Sequence, residues 1–350
     1  MFAVVHLIPT GVGAAIGGFA GDATPVAHVL AGVCDRLITH PNALNAANLF
    51  AKPANAWYVE GGMLDAWLAG TGALRPVRAH RIGLLIDRAV DRMPTGTLEA
   101  VINAANAMRA VHGIDLVGYH LTDRPLGCRI RMGETGVSSG DVAEPGALLA
   151  GGRHLMDRGA TAIAVLADLG ELPPGMEAAY QAGQGVDPIG GLEAILSHML
   201  VAELGVPAAH APLMAFDPLP SPVVDPRAAA EYLGHTYLPC ILQGLAAHPT
   251  LTDGAMPRMG DVWPDEVAAV VLPAGCLGGP GALAAHARGI PLVAVRENST
   301  VGSVTAAALG LETGVIEVDN YLEAAGVLAA MRAGVDWRAC RRPSVALEAL

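Results

Sequence analysis

Short apolar runs alternate along the chain with longer segments in which apolar positions recur at helical spacing. The runs predict β-strands at residues 2–8, 81–87, 114–121, 128–132, 160–166, 267–272, 290–295 and 314–318. The longer segments predict helices at residues 25–38, 96–111, 146–158, 191–204, 226–233, 281–288 and 321–332. Buried strands of parallel sheets are apolar throughout, and the crossovers between such strands are usually helical. The alternation therefore predicts an α/β fold with parallel sheets.

The chain has 350 residues, which is enough for two α/β lobes. Two similar loop motifs, one near each end, favour two Rossmann-like lobes with a cleft between them. We expect an N-terminal lobe at residues 1–150 with a glycine-rich loop, and a C-terminal lobe at residues 151–350 with a loop of cysteine and glycine. The asparagine-containing residues 42–53 predict a loop, and the proline-rich residues 217–226 predict a connector.

Each of the two motifs is an apolar strand that ends at a proline, opens into glycines and leads into a helix. Free backbone N–H groups and the helix dipole make such a turn suitable for an anion. The substrate-binding residues predicted in these loops are Thr10, Gly11, Gly13, Gly278 and Gly279. The alternative is a pair of strand-to-helix turns that need glycine only for packing.

Three residues are candidates for catalysis. Cys276 precedes a predicted helix, and a helix N-terminus stabilises a thiolate. His40 lies in a polar Thr-His-Pro-Asn segment, and His120 ends a predicted strand, where α/β sites form. The structural alternatives are a small cysteine buried in a tight turn and histidines that only hydrogen-bond within the fold.

Further polar residues of the predicted loops and strand ends are candidates for substrate binding. An arginine at a strand end offers a bidentate clamp for a carboxylate or phosphate, and asparagine and serine offer hydrogen bonds. The alternatives are an internal ion pair for the arginine and ordinary turn formation for the asparagines. The candidates are Asn42, Asn45, the only lysine Lys52, Ser138, Ser139, Asp187, Arg296, Glu297 and Asn298.

Composition and charge narrow the function. The net charge of −12 argues against a nucleic-acid partner. No basic region and apolar core of a signal peptide stands at the N-terminus, and the longest uncharged stretch, residues 267–287, contains two prolines and is a poor membrane span. We therefore expect a cytoplasmic protein without membrane contact, and leave a homo-oligomer open.

The sequence motifs also indicate no cofactor. The glycines do not follow the dinucleotide spacing, and no lysine follows a glycine loop, so neither NAD nor ATP is indicated. The five cysteines form no C-x-x-C pair and the histidines no metal-binding pair, so no metal site and no disulfide framework is predicted.

Several segments carry a resemblance to an uncharacterised bacterial family that is known only as a domain of unknown function. They are residues 8–11, 17–22, 39–42, 185–188 and 289–298. The resemblance spans nearly the whole chain and implies a shared fold, but no activity.

The last third carries two looser resemblances. The order from Cys276 to the polar strand end at residues 296–300 is similar to the nucleotide-sugar lobe of glycosyltransferase-B-type epimerases, although the arginine-proline-glutamate continuation is missing. The strand that ends near Cys276 is similar to the second cysteine region of aspartate/glutamate racemase-type enzymes, although the opposite loop holds no cysteine.

Together these observations predict a cofactor-independent isomerase, lyase or hydrolase that acts on a small anionic polar metabolite. One alternative is a nucleotide-sugar-binding epimerase or transferase of glycosyltransferase-B type. The other is a ligand-binding protein without catalysis.

Overall fold

The computed structural model describes residues 1–19, 21–45, 50–172, 174–214, 237–311 and 313–343. The strands are β1 Ala3–His6, β2 Arg36–Thr39, β3 Ala56–Tyr58, β4 Ala73–Arg75, β5 Arg81–Ile86, β6 Asp115–Leu121, β7 Cys128–Met132, β8 Ser138–Val142, β9 Ala162–Ala167, β10 Ala208–Pro212, β11 Thr250–Thr252, β12 Val267–Pro273, β13 Leu292–Val295 and β14 Val315–Val318. The helices are α1 Thr24–Gly32, α2 Pro41–Leu44, α3 Gly61–Leu68, α4 Thr97–His112, α5 Pro145–Asp157, α6 Met176–Gln181, α7 Gly190–Leu204, α8 Leu238–Ala246, α9 Pro280–Ala287, α10 Ala306–Leu309 and α11 Tyr321–Arg332.

Two parallel sheets organise the molecule and confirm the predicted α/β class. The first sheet has the strand order β14-β13-β12-β1-β2-β3, and the second has the order β10-β9-β5-β6. Every neighbouring pair within the two sheets runs parallel. Two antiparallel ribbons, β4 with β11 and β7 with β8, are added to them.

The two sheets do not follow the predicted boundary at residue 150. The first sheet joins residues 3–58 to residues 267–318, and the second lies within residues 81–212. Residue 150 itself falls inside α5. The second sheet is thus inserted between β3 and β12, a pairing that local apolar patterns do not reveal.

Alternation along the strands divides their side chains between an inner and an outer layer. Val5 of β1 and Val165 of β9 belong to one buried cluster, so the two sheets share a core, and residues of α3, α5, α7 and α9 fill it. Val4, on the other face of β1, packs with α1 and α11. Leu84 of β5 packs with α4 and α8 on the outer face of the second sheet. The inner strands β1, β5, β9 and β12 are buried on both faces over most of their length, which explains their continuous apolar runs.

Several boundaries differ from the predicted ones. The helix expected at residues 25–38 ends at Gly32, and its last residues form β2, because pairing with β1 and β3 favours an extended conformation there. The loop expected around Ser138 is β8, which pairs with β7. The short strands β3, β4, β10 and β11 carry too few residues for a periodic signal. The connector at residues 217–226 and the helix at 226–233 lie outside the described residues.

Ser138 fastens the ribbon β7–β8 to the rest of the fold. Its N–H donates to the carbonyl of Gly11 at 2.8 Å. Its Oγ accepts from the N–H of Gly191 at 3.0 Å and donates to the carbonyl of Pro188 at 3.1 Å. The first glycine loop, the ribbon and the start of α7 are therefore joined at a single buried residue.

The contact at Gly191 predicts a large effect of one methyl group. A Cβ at Gly191 would lie 2.1 Å from the backbone oxygen of Ser138. Since backbone cannot yield as a side-chain end does, we expect Gly191→Ala to lower the free energy of unfolding by about 3 kcal/mol or more. Gly146 occupies the first turn of α5 with no atom within 4 Å of its Cβ position. Gly146→Ala should be neutral or stabilise by about 0.5 kcal/mol. Urea unfolding of both variants tests this, and equal effects would contradict it.

Candidate functional site

The carboxyl ends of three adjacent strands deliver polar residues to one place. Thr10 follows β1, His40 follows β2 and Glu60 follows β3. On the opposite side, His210 lies in β10 of the second sheet, and His198 lies on α7, which packs between the sheets. Because strand ends of open α/β sheets form ligand sites, this junction is the candidate site.

Two adjoining cavities open there. The first, of about 80 Å³, is called the polar chamber. Its polar lining comprises Thr10, His40, Asn42, Asn45, Glu60, Asp187, Glu193, Ser197, His198, His210 and Tyr237. The second, of about 230 Å³, is called the apolar chamber; it is lined by Leu7, Pro9, Leu64, Leu272, Pro280 and Ala282 together with Asp65, Cys276 and the glycines 279 and 281. The chambers share five lining residues, Thr10, His40, Gly61, Ala194 and His198.

Burial keeps the three histidines of the polar chamber neutral. The Nε2 of His40 accepts from the N–H of Ile8 at 2.9 Å, so its neutral ring carries the proton on Nδ1. Burial and the nearby His198 lower the pKa of His40 to about 4. Burial lowers the pKa of His210 to about 3, and the nearby His198 contributes to this as a smaller cause. At neutral pH His40 is thus a hydrogen-bond donor without a charge.

His210 and His198 offer the opposite chemistry. The hydroxyl of Ser197 donates to the carbonyl of Ala194 at 3.2 Å and therefore accepts from Nδ1 of His210, at 2.8 Å. This leaves Nε2 of His210 as an acceptor. His198 has no hydrogen bond to any described residue, and burial lowers its pKa. It is therefore a neutral base that is ready to take a proton.

Glycine at position 61 is needed for the place of His198. A Cβ on Gly61 would lie 2.9 Å from Nε2 of His198, which is too close for an ordinary contact. The ring therefore lies against the first turn of α3. This close approach brings the base on α7 to the strand ends of the first sheet.

The carboxyl groups of the site hold protons more strongly than usual. Burial raises the pKa of Glu60 to about 8, against the opposing hydrogen bond from Tyr58, whose hydroxyl donates at 2.7 Å. Burial raises the pKa of Asp187 to about 6, although the N–H groups of Ile189 and Gly190 donate to its Oδ1. At pH 7 Glu60 is therefore mostly protonated and can donate a proton.

Helix N-termini add positive potential. The first residues of α2, α3 and α9 line the chambers. A hydrogen bond from the N–H of Gly281 lets Asp65 cap α9, whereas in the described part of the chain the N-cap residue of α3, Glu60, makes no side-chain cap. No arginine or lysine within the described residues lines either chamber. An anion here would be held by the amides of α3 rather than by a fixed cation.

Seven of the seventeen predicted residues meet at this site. Thr10, His40, Asn42, Asn45 and Asp187 line the polar chamber. Cys276 and Gly279 line the apolar chamber. Because β1 and β12 are parallel neighbours in one sheet, the two glycine-rich loops face the same cavity.

The expected thiolate at Cys276 is wrong. Cys276 lies in the turn that precedes Gly279, the residue before α9, rather than at the helix start. Burial raises the pKa of the Cys276 thiol, and only the hydrogen bond with Thr300 opposes this. Gly279 has a φ of −68°, so a side chain there causes no backbone strain.

The remaining candidates lie away from both chambers. Gly11 and Ser138 bond to each other, Ser139 is exposed on β8, Gly13 packs near Val186, and Gly278 packs near Val304. The ammonium of Lys52 donates to the carbonyl of Ala56 at 2.6 Å. The ring of His120 stacks on His154 with centroids 4.2 Å apart.

The polar strand end after β13 has structural contacts. Arg296 pairs with Asp319 and Glu317, as the ion-pair alternative predicts. Glu297 accepts from the N–H of Tyr321 at 3.0 Å. Asn298 is buried and bonds to both backbone groups of Ile16, which holds the first glycine loop in place.

The fold brings further residues to the site from other elements, and these residues were not predicted from the sequence. They are Glu60, Asp65, Glu193, Ser197, His198 and His210. Glu193 and Ser197 are four residues apart on α7 and so share a helix face, which is the one local signal available. Within the described ranges, no group of three His, Cys, Asp or Glu side chains is arranged to hold a metal ion.

The fold and the site define an α/β protein with a histidine–carboxyl cavity between two parallel sheets. A family model described as protein of unknown function (DUF3326) matches residues 3–341, so the chain belongs to this family. An uncharacterized lipoprotein of a Synechococcus species is 42% identical over 334 residues, which cover 95% of this chain and 91% of the relative. No solved structure matches. The resemblances to glycosyltransferases and racemases are not found in these comparisons.

No helix among the described residues has both the length and the apolar character that a membrane crossing requires.

The buried acid predicts a pH dependence of stability. An unfolded chain ionises Glu60 above its ordinary pKa of 4.5, whereas the folded protein does so only above about 8. Folding therefore takes up a proton between these values, and the free energy of unfolding should fall as the pH rises through them. Glu60→Gln keeps an acceptor for Tyr58 and removes this slope, with a relative gain on the order of 4 kcal/mol at pH 8.

Denaturant unfolding of both proteins from pH 5 to pH 8 measures this difference. Glu171→Gln, at an exposed position, should leave the slope unchanged. Identical slopes in wild type and Glu60→Gln would show that Glu60 is ionised in the folded protein.

Proposed function

We propose that the chain is a cofactor-independent enzyme, an isomerase, lyase or hydrolase, that performs acid–base chemistry on a small anionic polar metabolite. One observation carries the proposal. His198 is a neutral base without a hydrogen bond to any described residue. It lines the same small chamber as the donor His40 and the protonated acid Glu60. Groups whose surroundings push their pKa values apart in this way suit general acid–base catalysis.

The residues divide the work as follows. His198 removes a proton from a substrate carbon, hydroxyl or water. The Nδ1–H of His40 and the uncapped amides of α3 stabilise the negative charge that develops on the substrate. Glu60 then returns a proton.

The size of the chambers favours a small substrate. Their volumes, about 80 and 230 Å³, together reach only the lower end of the roughly 300–1,000 Å³ of pockets for drug-sized ligands. A nucleotide sugar is therefore disfavoured as the ligand of this site.

The proposal predicts hydrogen exchange of a substrate. The wild-type protein is incubated in D₂O with a panel of 2-hydroxy, 2-keto and dicarboxylic acids, and exchange is measured by proton NMR. We expect it to exchange the proton next to the carbonyl or carboxylate of at least one compound. His198→Asn should slow this exchange about a hundredfold or more, because the base is lost. His154→Asn removes a histidine outside the chambers and should leave the rate unchanged.

Two results would contradict the proposal. An unchanged rate in His198→Asn would remove His198 as the base. If the wild-type protein binds a panel compound but neither it nor the variants exchange a hydrogen of that compound, the non-catalytic ligand-binding alternative is favoured.

The location of the chain in the cytoplasm is also a proposal. The Synechococcus relative is named a lipoprotein, which favours the alternative of a membrane-anchored protein. Recovery of the chain in the membrane fraction of lysed cells would contradict this location.

A further inference from the structure

The two chambers form one bent cavity with a polar and an apolar arm. The residues at the bend are Thr10, His40, Gly61, Ala194 and His198. The proposed base and the start of α3 are therefore at the point where a ligand passes from one chamber into the other.

The apolar chamber takes no part in the proposed proton transfers. Leucines from β12, from the loop after β1 and from α3 form its walls. Its ionisable carboxyl group, Asp65, is engaged by the N–H of Gly281. A chamber of this lining gains free energy when it removes apolar surface from water.

The volume of the chamber sets the length of what it holds. An apolar cavity of about 150 Å³ takes up one benzene ring in another protein. A chamber of about 230 Å³ therefore has room for at least about six carbon atoms.

Resting on the proposed function, we infer that the substrate class is a short-chain carboxylic acid with an unbranched apolar arm of about six carbons. The carboxylate lies at the amides of α3 and at His40, and the arm extends past Cys276 in the apolar chamber. The carbon next to the carboxylate then lies at the bend, beside His198. This places the reactive C–H of such an acid against the base.

The experiment uses the straight-chain carboxylates from acetate to decanoate as probes, with dissociation constants from calorimetry on the full chain. We expect affinity to rise about threefold to fourfold with each methylene, and to level off at about eight carbons, where an arm of about six carbons extends beyond the carbon at the bend. Affinity that is equal along the series would overturn the inference, as would the absence of binding by every member.

Gly279→Leu tests the place of the arm. Gly279 lines the apolar chamber and has a φ of −68°, and no atom of the described residues lies within 4 Å of its Cβ position, so leucine fits without backbone strain. We expect it to weaken octanoate at least tenfold and to leave acetate unchanged. Gly302→Leu, at an equally open glycine outside both chambers, should change neither.

The two proposals fail separately. The assignment of the arm is overturned if affinity does not depend on chain length, or if Gly279→Leu keeps the preference for octanoate over acetate. In that case hydrogen exchange that depends on His198 still supports the acid–base enzyme. A retained chain-length dependence with exchange that is independent of His198 keeps the ligand class and removes the proposed catalysis.

Discussion

The core shared by the two sheets is the constraint on which the rest of the structure depends. Helices α3, α7 and α9 fill the space between the sheets, and each brings its N-terminal turn or a polar face to the carboxyl ends of β1, β2 and β3. Removal of water at this junction disfavours every charge there. The same burial therefore lowers the pKa values of the histidines and raises those of the carboxyl groups. A pocket with neutral bases and a protonated acid at neutral pH follows from packing alone.

Close backbone approach makes this packing achievable. Gly61 lets the ring of His198 lie on the first turn of α3, and Gly191 lets α7 begin against Ser138. At both positions a Cβ would meet an atom within 3.0 Å. The high glycine content thus has specific uses at the interface between the sheets, in addition to its use in turns. The first glycine-rich loop is held differently, by Asn298 and Ser138, and forms a wall of the site rather than an isolated phosphate cradle.

Local pattern was sufficient for the long elements. The helix expected at residues 321–332 has those bounds in the structure, helped by Asn320, whose side chain caps it. Parallel strands such as β9 and β12 were visible as apolar runs. The pairing of β1 with β12 was not, because it depends on chain segments more than 250 residues apart. The residues of the site differ in the same way. His40 could be predicted because it stands in a polar segment, whereas His198 could not, because it is a single histidine on an apolar helix. Only the packing of α7 on α3 brings its ring to the chamber.

The central claim is that burial holds His198 as a neutral base beside the strand ends of the first sheet. An NMR titration of its imidazole between pH 4 and pH 8, with the resonance assigned by its loss in His198→Asn, tests this directly. The account predicts a pKa below the ordinary value of 6.5. A pKa of 6.5 or above would show that the ring is solvated or paired with an ionised carboxylate, and would contradict the account.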